Sequence, residues 1–449
     1  MMELRRKCAE KIKKWYFNSR KALLVKGARQ VGKTHLIRSV LSEIGCDYLE
    51  INLIEKPEAI SVLNQATSVD ELIIGLSTVS EKRLEKGRTV IFIDEVQKCK
   101  EMVTRIKFLV DEGSFRYVLS GSLLGVELTG LNSAPVGYLS ILDMYPLDFE
   151  EFLQITNVGA EILSSLKDSF DKRTPVMDAV NSKMLDLFTR YLAVGGMPEA
   201  VARFAETSSI NDVISIHKDI SALYHLDFTQ YEVEDRKLLI TRAYDLIPSE
   251  LLKQNRRFVV TDISKGLRFE RMENTFLWLE NSGVAITSYN ATEPRIPLRL
   301  NEKHSLFKMY LADVGMLTSS YGMPTKRMLI GRDSNLNAGG IYENVMAQEL
   351  CSKGYSLHYY NSNRLGELDF VIEYEGKALP IEIKSGKNYR YHSAISNCLN
   401  NSEYEMDQAF VFANCNVFRE GKIVYLPAYM IMFMDKRDEE DLVLDRISF

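Results

Sequence analysis

The sequence predicts an α/β protein in three consecutive parts: a parallel sheet covered by helices over residues 1–155, a helical and winged-helix-like region over 156–327, and a second α/β domain over 328–449. Three observations carry this reading. From Lys21 to Phe152, short β-branched runs alternate with helical stretches, the rhythm of strands joined by crossover helices. From Phe152 to Leu252, apolar residues recur at three- and four-residue spacing, interrupted by Gly195-Gly196 and Pro198. From Met328, a helix precedes alternating strands. The length agrees, since 449 residues at roughly 150 per domain make about three domains.

In chain order, strands are expected at Ala22–Lys26, Asp47–Asn52, Thr89–Asp94, Phe115–Leu119 and Tyr138–Asp143. Most are aliphatic-rich runs bounded by polar or glycine residues, as strands buried on both faces require. Between Phe258 and Leu300, a short helix, a turn, a longer helix at Glu270–Asn281 and two strands around Asn290–Pro294 outline a winged helix. The acidic tail from Asp435 reads as a solvated end.

Composition narrows the function classes. Hydrophobic residues make up 46% and charged residues 26%, ordinary globular values. The net charge of -5 conceals a basic start: residues 1–38 hold twelve Lys/Arg against two Glu. A polycation that coats nucleic acid is excluded, whereas a local basic face is not. The six cysteines form no CxxC pair and read as reduced thiols. The start MMELRRKCAEKIKKW lacks an apolar leader core, and no window is long and apolar enough to span a bilayer, so a cytoplasmic protein without membrane contact is expected.

The strongest motif is GARQVGKT, covering Gly27, Ala28, Arg29, Gln30, Val31, Gly32, Lys33 and Thr34. It fits GxxxxGK[ST], follows the strand ALLV and opens the helix HLIRSVLSEI, the setting a phosphate-binding loop needs. Glycines let backbone amides turn toward phosphates, and the helix adds its positive dipole end. Lys33 is expected to reach the β- and γ-phosphates of ATP, and Thr34 to hold Mg²⁺. The run RTVIFIDEVQK ends a buried strand in Asp94 and Glu95: Asp94 would support Mg²⁺, and Glu95 would activate the attacking water. Ser120, at the end of RYVLSGS, reaches the same sheet edge, where a hydroxyl can sense the γ-phosphate.

Two further stretches stand out. Lys253, Arg256, Arg257, Lys265, Arg268 and Arg271 face only Asp262 and Glu270 in sequence, a local excess that would suit DNA phosphates, a solvated face or a lid. Residues Glu367–Ser385 alternate like a hairpin turning at Glu375-Gly376, with Leu368, Phe370, Ile372, Leu379, Ile381 and Ile383 on one face. Regular pairing would set Asp369 against Glu382 and Glu367 against Lys384. Facing carboxylates repel unless a divalent cation lies between them, and Lys384 could then stabilise developing charge. On that register, metal would stabilise the domain, and removing the Asp369 charge would leave the metal-free protein as stable or more so.

These residues also carry a resemblance. GARQVGKT, IDEVQK, LSGS, MYPLDFEEFL, YLAVGGMPEAV, FLWLENSGVA and FKMYLADVGML, in this order, are similar to the bacterial and archaeal AAA-type ATPases that carry a carboxy-terminal domain of unknown function. The resemblance implies a P-loop NTPase core with Gly27, Gly32, Lys33 and Thr34 on phosphate, Asp94 and Glu95 on Mg²⁺ and water, and Ser120 as sensor. Many relatives place Gly-Arg before the MYPLDFEEFL-like stretch. This chain has Gly137-Tyr138, which implies slow hydrolysis or an arginine supplied in trans by a second copy. Asp369 with Glu382-Ile383-Lys384 resembles the PD-(D/E)xK nucleases, with Glu343 as a further acid, and implies a restriction-endonuclease-like domain acting on DNA. The expected function is a Mg²⁺-dependent ATPase coupled to that DNA-binding or nuclease-like domain; the alternative is a nucleotide-controlled switch whose carboxy-terminal domain cuts nothing.

Overall fold

The computed structural model describes residues 4–80, 83–122, 137–230 and 234–436. The end of the acidic tail lies outside them. The chain forms two compact units, one of Met1–Gly159, Asp186–Thr287 and Lys308–Gln348, the other of Ala160–Leu185, Ser288–Phe307 and Glu349–Phe449. The three consecutive parts expected from sequence are thus interleaved. The segment 160–185, read as part of the middle helical region, packs within the second unit: Arg173 lies over the Phe410 ring at 4.8 Å, and Asn416 Oδ1 accepts from Val176 N–H at 2.9 Å.

In the first unit, strands β1 (Ala22–Lys26), β2 (Tyr48–Asn52), β3 (Val90–Asp94), β4 (Arg116–Gly121) and β5 (Leu139–Asp143) form a sheet in the order β2-β3-β4-β1-β5. All its pairings are parallel. Every residue of β3 is buried, which is why a run as apolar as VIFID forms the interior of the sheet. Leu24, Ile51, Ile91, Ile93 and Leu119 belong to one core with Met102, Ile106 and Leu109 of the helix Lys100–Glu112.

Part of the basic start is paired with acids inside this unit. Lys13 pairs with Glu43, Lys26 with Asp143 and Arg38 with Glu50. Arg6 pairs with Glu151 and Lys7 with Asp148, the two acids of a capping box on the short helix Phe149–Phe152. The quoted segments MYPLDFEEFL, YLAVGGMPEAV and YLADVGML converge. Leu147 N–H donates to Gly196 O at 2.7 Å, and Asp313 accepts from Gly196 N–H and Met316 N–H. A Cβ on Gly196 would sit 2.0 Å from Leu147 O, so the turn demands glycine. Buried Lys326 donates to Ala193 O and to Thr318 Oγ1. These motifs build the unit's frame.

An eight-stranded sheet has the order β12-β13-β11-β10-β9-β8-β6-β7. Its strands are β6 (Ala285–Ala291), β7 (Glu302–Leu311), β8 (His358–Ser362), β9 (Gly366–Tyr374), β10 (Lys377–Lys384), β11 (Ala409–Ala413), β12 (Phe418–Glu420) and β13 (Ile423–Pro427). The two strands expected around Asn290–Pro294 as a wing are β6 and β7, and β6 joins this sheet through parallel pairing with β8. The preceding helices Val260–Ile263 and Phe269–Asn281 lie where the sequence places them.

The β9–β10 hairpin has the expected register from Lys377↔Tyr374 to Ile381↔Phe370, and its six apolar residues are all buried. The pairing of Asp369 with Glu382 is corrected. On the other side of β9, His358 pairs with Val371 and Tyr360 with Leu368, so three steps of β9 match two of β8 and a bulge falls at 369–370. Leu368 therefore joins Val371 in one core cluster, although regular alternation would separate them.

Candidate functional site

The chemistry-bearing residues of the first unit gather at the carboxyl ends of β1, β2, β3 and β4, the edge where open parallel sheets hold ligands. The loop after β1 is a backbone cradle. Gly27 has φ +155, and a Cβ there would lie 2.1 Å from Met144 O; Gly32 has φ +91 and precedes the helix Lys33–Ile44. Arg6 braces the loop from beneath, donating to Val31 O at 3.0 Å and Tyr145 O at 2.6 Å. From the helix Ile210–Gln230, Asp227 pairs with Arg29 at 3.0 Å and Tyr224 Oη donates to Arg29 O at 3.2 Å. Gly283 approaches so closely that a Cβ would stand 3.0 Å from Ala28 N. Gln30 is exposed, with φ +66.

Lys33 is buried and donates to Gly27 O at 3.0 Å and Ala28 O at 2.8 Å. Burial pushes its amine down to about 8, against the pull of Glu95 and Asp94, with Arg29 adding to the depression. Asp94 is the hub. Its Oδ2 accepts from Thr34 Oγ1 at 2.8 Å and from Asn52 Nδ2 at 3.4 Å, and its Oδ1 accepts from Glu95 N–H at 3.0 Å and from Ser120 Oγ. Ser120, expected as a γ-phosphate sensor, thus spends its hydroxyl proton on the Mg²⁺-binding candidate. Glu95 has a left-handed backbone, φ 56 and ψ 41, unusual for a residue with a side chain. Gln97 Nε2 donates to its carboxylate.

Sequence reasoning missed Asn52, Gln97, Asp227 and Arg6. Asn52 was within reach, since it ends β2 as Asp94 ends β3 and the two are register partners. Gln97 stands two positions from Glu95 within the quoted IDEVQK stretch, whereas Asp227 and Arg6 act through contacts 25 to 198 positions apart, with no local signal. Tyr138, where an arginine was missed, has its carbonyl accepting from Ala22 N–H at the amino end of β1. At ~3.3 Å per strand residue, that is about 16 Å from the phosphate loop, so a side chain there serves no step at its own chain's site.

The second set is not assembled as expected. Asp369 Oδ2 accepts from Ile383 N–H at 2.8 Å, Lys384 Nζ pairs with Glu382 at 2.7 Å, and Glu367 accepts from Asn361 at 2.5 Å. Glu343 is buried against Arg256, Lys308 and Tyr310. This also removes Arg256 from the expected phosphate-facing group, and Lys253 pairs with Glu250 and Asp262; Lys265, Arg268 and Arg271 are exposed at the start of Phe269–Asn281. Among the described residues, no three His, Cys, Asp or Glu side chains form a metal-binding group, and no described helix is long and apolar enough to cross a membrane.

One expectation changes sign. Asp369→Ala is expected to destabilise the full chain by about 1–2 kcal/mol in urea unfolding, because it leaves the Ile383 N–H unpaired. Equal or greater stability would restore the repulsive arrangement.

Comparison with known proteins agrees with the geometry of the first site. Residues 19–153 match the AAA domain family; residues 185–327 and 338–430 match two domains of unknown function, DUF8612 and DUF4143. No curated protein matches the chain. Among solved structures, the Walker-type ATPase paby2304 of Pyrococcus abyssi is 15% identical, over 71% of this chain and 96% of that one, with a TM-score of 0.45. Cdc6p from Pyrobaculum aerophilum is 11% identical (74% and 96% covered, TM-score 0.27), and the RuvB Holliday junction branch migration motor of Thermotoga maritima is 16% identical (63% and 89%, TM-score 0.28). The AAA match spans the loop Gly27–Thr34 together with Asp94, Glu95 and Ser120.

Proposed function

We propose that the chain is a Mg²⁺-dependent ATP hydrolase whose phosphate loop, Gly27 to Thr34, holds the triphosphate. The observation that supports this most is the linkage of Thr34 through Asp94 to Ser120, which brings a hydroxyl from the loop helix, the acid ending β3 and a hydroxyl of β4 to one point. The donor set fits the group: two oxygens suited to a hard cation stand beside a loop whose amides lack room for a Cβ at Gly27. When bound, Mg²⁺ would supply charge neutralisation of the phosphates. Thr34 and Asp94 would hold it, Lys33 would exchange its two carbonyl partners for phosphate oxygens, and Glu95 would orient and deprotonate water. The transition-state arginine comes, in this reading, from a second copy.

Phosphate release from ATP by the full chain, present with Mg²⁺ and lost with chelator, tests the proposal; no release at any Mg²⁺ concentration overturns it. A second reading adds cleavage of DNA at Asp369, Glu382 and Lys384. It is favoured by the Asp369 carboxylate lying against the backbone of Ile383, between the other two residues. Circular DNA left intact in Mg²⁺ and in Mn²⁺ would leave the non-cleaving interaction module instead.

The Lys33 amine gives a pH signature. Its folded value, about 8, lies below the ordinary 10.5, so between these limits the folded protein holds fewer protons than the unfolded chain. The burial penalty therefore acts below about pH 8 and is relieved as pH rises through that window. Phosphate anions favour the charged amine, so ATP binding is expected to take up a proton above pH 8. Calorimetry at pH 9 in buffers of differing ionisation heat should show uptake approaching one proton, and affinity should weaken by up to about tenfold per pH unit. Zero uptake would remove Lys33 from the phosphates.

A further inference from the structure

We infer that Gln97 is a positioning residue for the hydrolytic step, holding the Glu95 carboxylate in its working place; the inference rests on the ATPase reading above. Glu95 directly follows the buried strand β3 and takes a left-handed conformation, so its side chain leaves the sheet edge in a direction that the strand alone would not set. Its backbone N–H is bonded to Asp94 Oδ1 and its carbonyl accepts from Lys98 N–H. The carboxylate itself is held by Gln97 Nε2.

Gln97 is 5% exposed, and its amide also reaches Ser122 Oγ at 3.4 Å, so Glu95 is tied through it to the end of β4 that carries Ser120. The orientation of the amide follows from chemistry. An ionised carboxylate only accepts, so the NH₂ group must face Glu95, and the amide oxygen is directed away. That oxygen, Gln97 Oε1, is buried with no hydrogen-bond partner among the described residues.

An unpaired buried acceptor is a cost to stability. Methionine, with the same length and no such acceptor, would be the more stable occupant of this site. What glutamine supplies and methionine does not is the hydrogen bond to Glu95, with the longer contact to Ser122. Geometry therefore separates the two roles: a merely structural Gln97 would lose stability when replaced by Met, whereas a positioning Gln97 would keep stability and lose turnover.

The test uses the full chain with Mg²⁺ and ATP. Gln97→Met is expected to melt at the wild-type temperature or above and to bind ATP within twofold of wild type. Its kcat is expected to fall by about 10–100-fold, the range of one hydrogen bond to a charged group. In a Glu95→Gln background, Gln97→Met should lower kcat no further, because the group it positions is already lost. Gln97→Glu is a second variant that keeps length and polarity. It is expected to lower kcat as Gln97→Met does, because an ionised carboxylate has no N–H to donate to Glu95, and wild-type kcat in Gln97→Glu would overturn the inference. Wild-type kcat in Gln97→Met, a parallel loss of ATP affinity, or an additive loss in the double variant would each overturn the inference while leaving the ATPase reading in place. Absence of turnover in wild type would remove both.

Discussion

Lys33→Ala is expected to abolish high-affinity ATP binding. Each charge-assisted hydrogen bond from the buried amine to a phosphate oxygen contributes roughly 1.5–3 kcal/mol, and two such bonds correspond to a loss on the order of 10²–10⁴ in affinity. The loss should come without unfolding. In the structure the amine is a desolvated cation held by Gly27 O and Ala28 O, and its depressed proton affinity marks the cost of keeping it there. Removing it relieves that cost while leaving two carbonyls short of a partner. These effects oppose each other, so the melting temperature is expected to stay within roughly 4 °C of wild type. Equal nucleotide affinity in the two proteins, by calorimetry or by displacement of a fluorescent nucleotide, would refute the assignment.

Glu95→Gln is expected to do the opposite: ATP binding within a fewfold of wild type, and turnover reduced by about 10²–10⁴, the usual contribution of a positioned base. The amide retains the carboxylate's shape and still presents an oxygen to Gln97, so the left-handed turn after Asp94 should persist. It cannot take a proton from water. Single-turnover phosphate release separates the two steps directly. Release within threefold of wild type would move the base elsewhere and leave Glu95 a structural residue.

The first unit was largely legible in the sequence. All five strands of its sheet lie within two residues of their expected ends, because runs such as VIFID are apolar enough to demand burial on both faces, and a parallel sheet under helices satisfies that demand. The gathering of Lys33, Thr34, Asp94 and Glu95 at one sheet edge was legible for a related reason: it depends on local backbone geometry and on residues at the ends of neighbouring strands, and spacing encodes both.

What the sequence did not disclose were contacts between distant segments. The hairpin turn at Glu375-Gly376 and its register were readable from alternation, yet the bulge at 369–370 depends on how β9 meets β8, and one extra residue was enough to take Asp369 out of its expected pairing with Glu382. Glu343, a further acid of the nuclease-like set in the sequence, is enclosed in the fold by Arg256, Lys308 and Tyr310. Local periodicity and motif spacing determined the strands, the helices and the phosphate loop, because those follow from interactions between residues near in sequence. Tertiary structure alone decided the order β2-β3-β4-β1-β5, the docking of residues 160–185 in the second unit, and the partners of each buried charge. A charge removed from water must find its counterpart wherever the fold brings one, and that position is written in the packing of the chain, not in its local pattern.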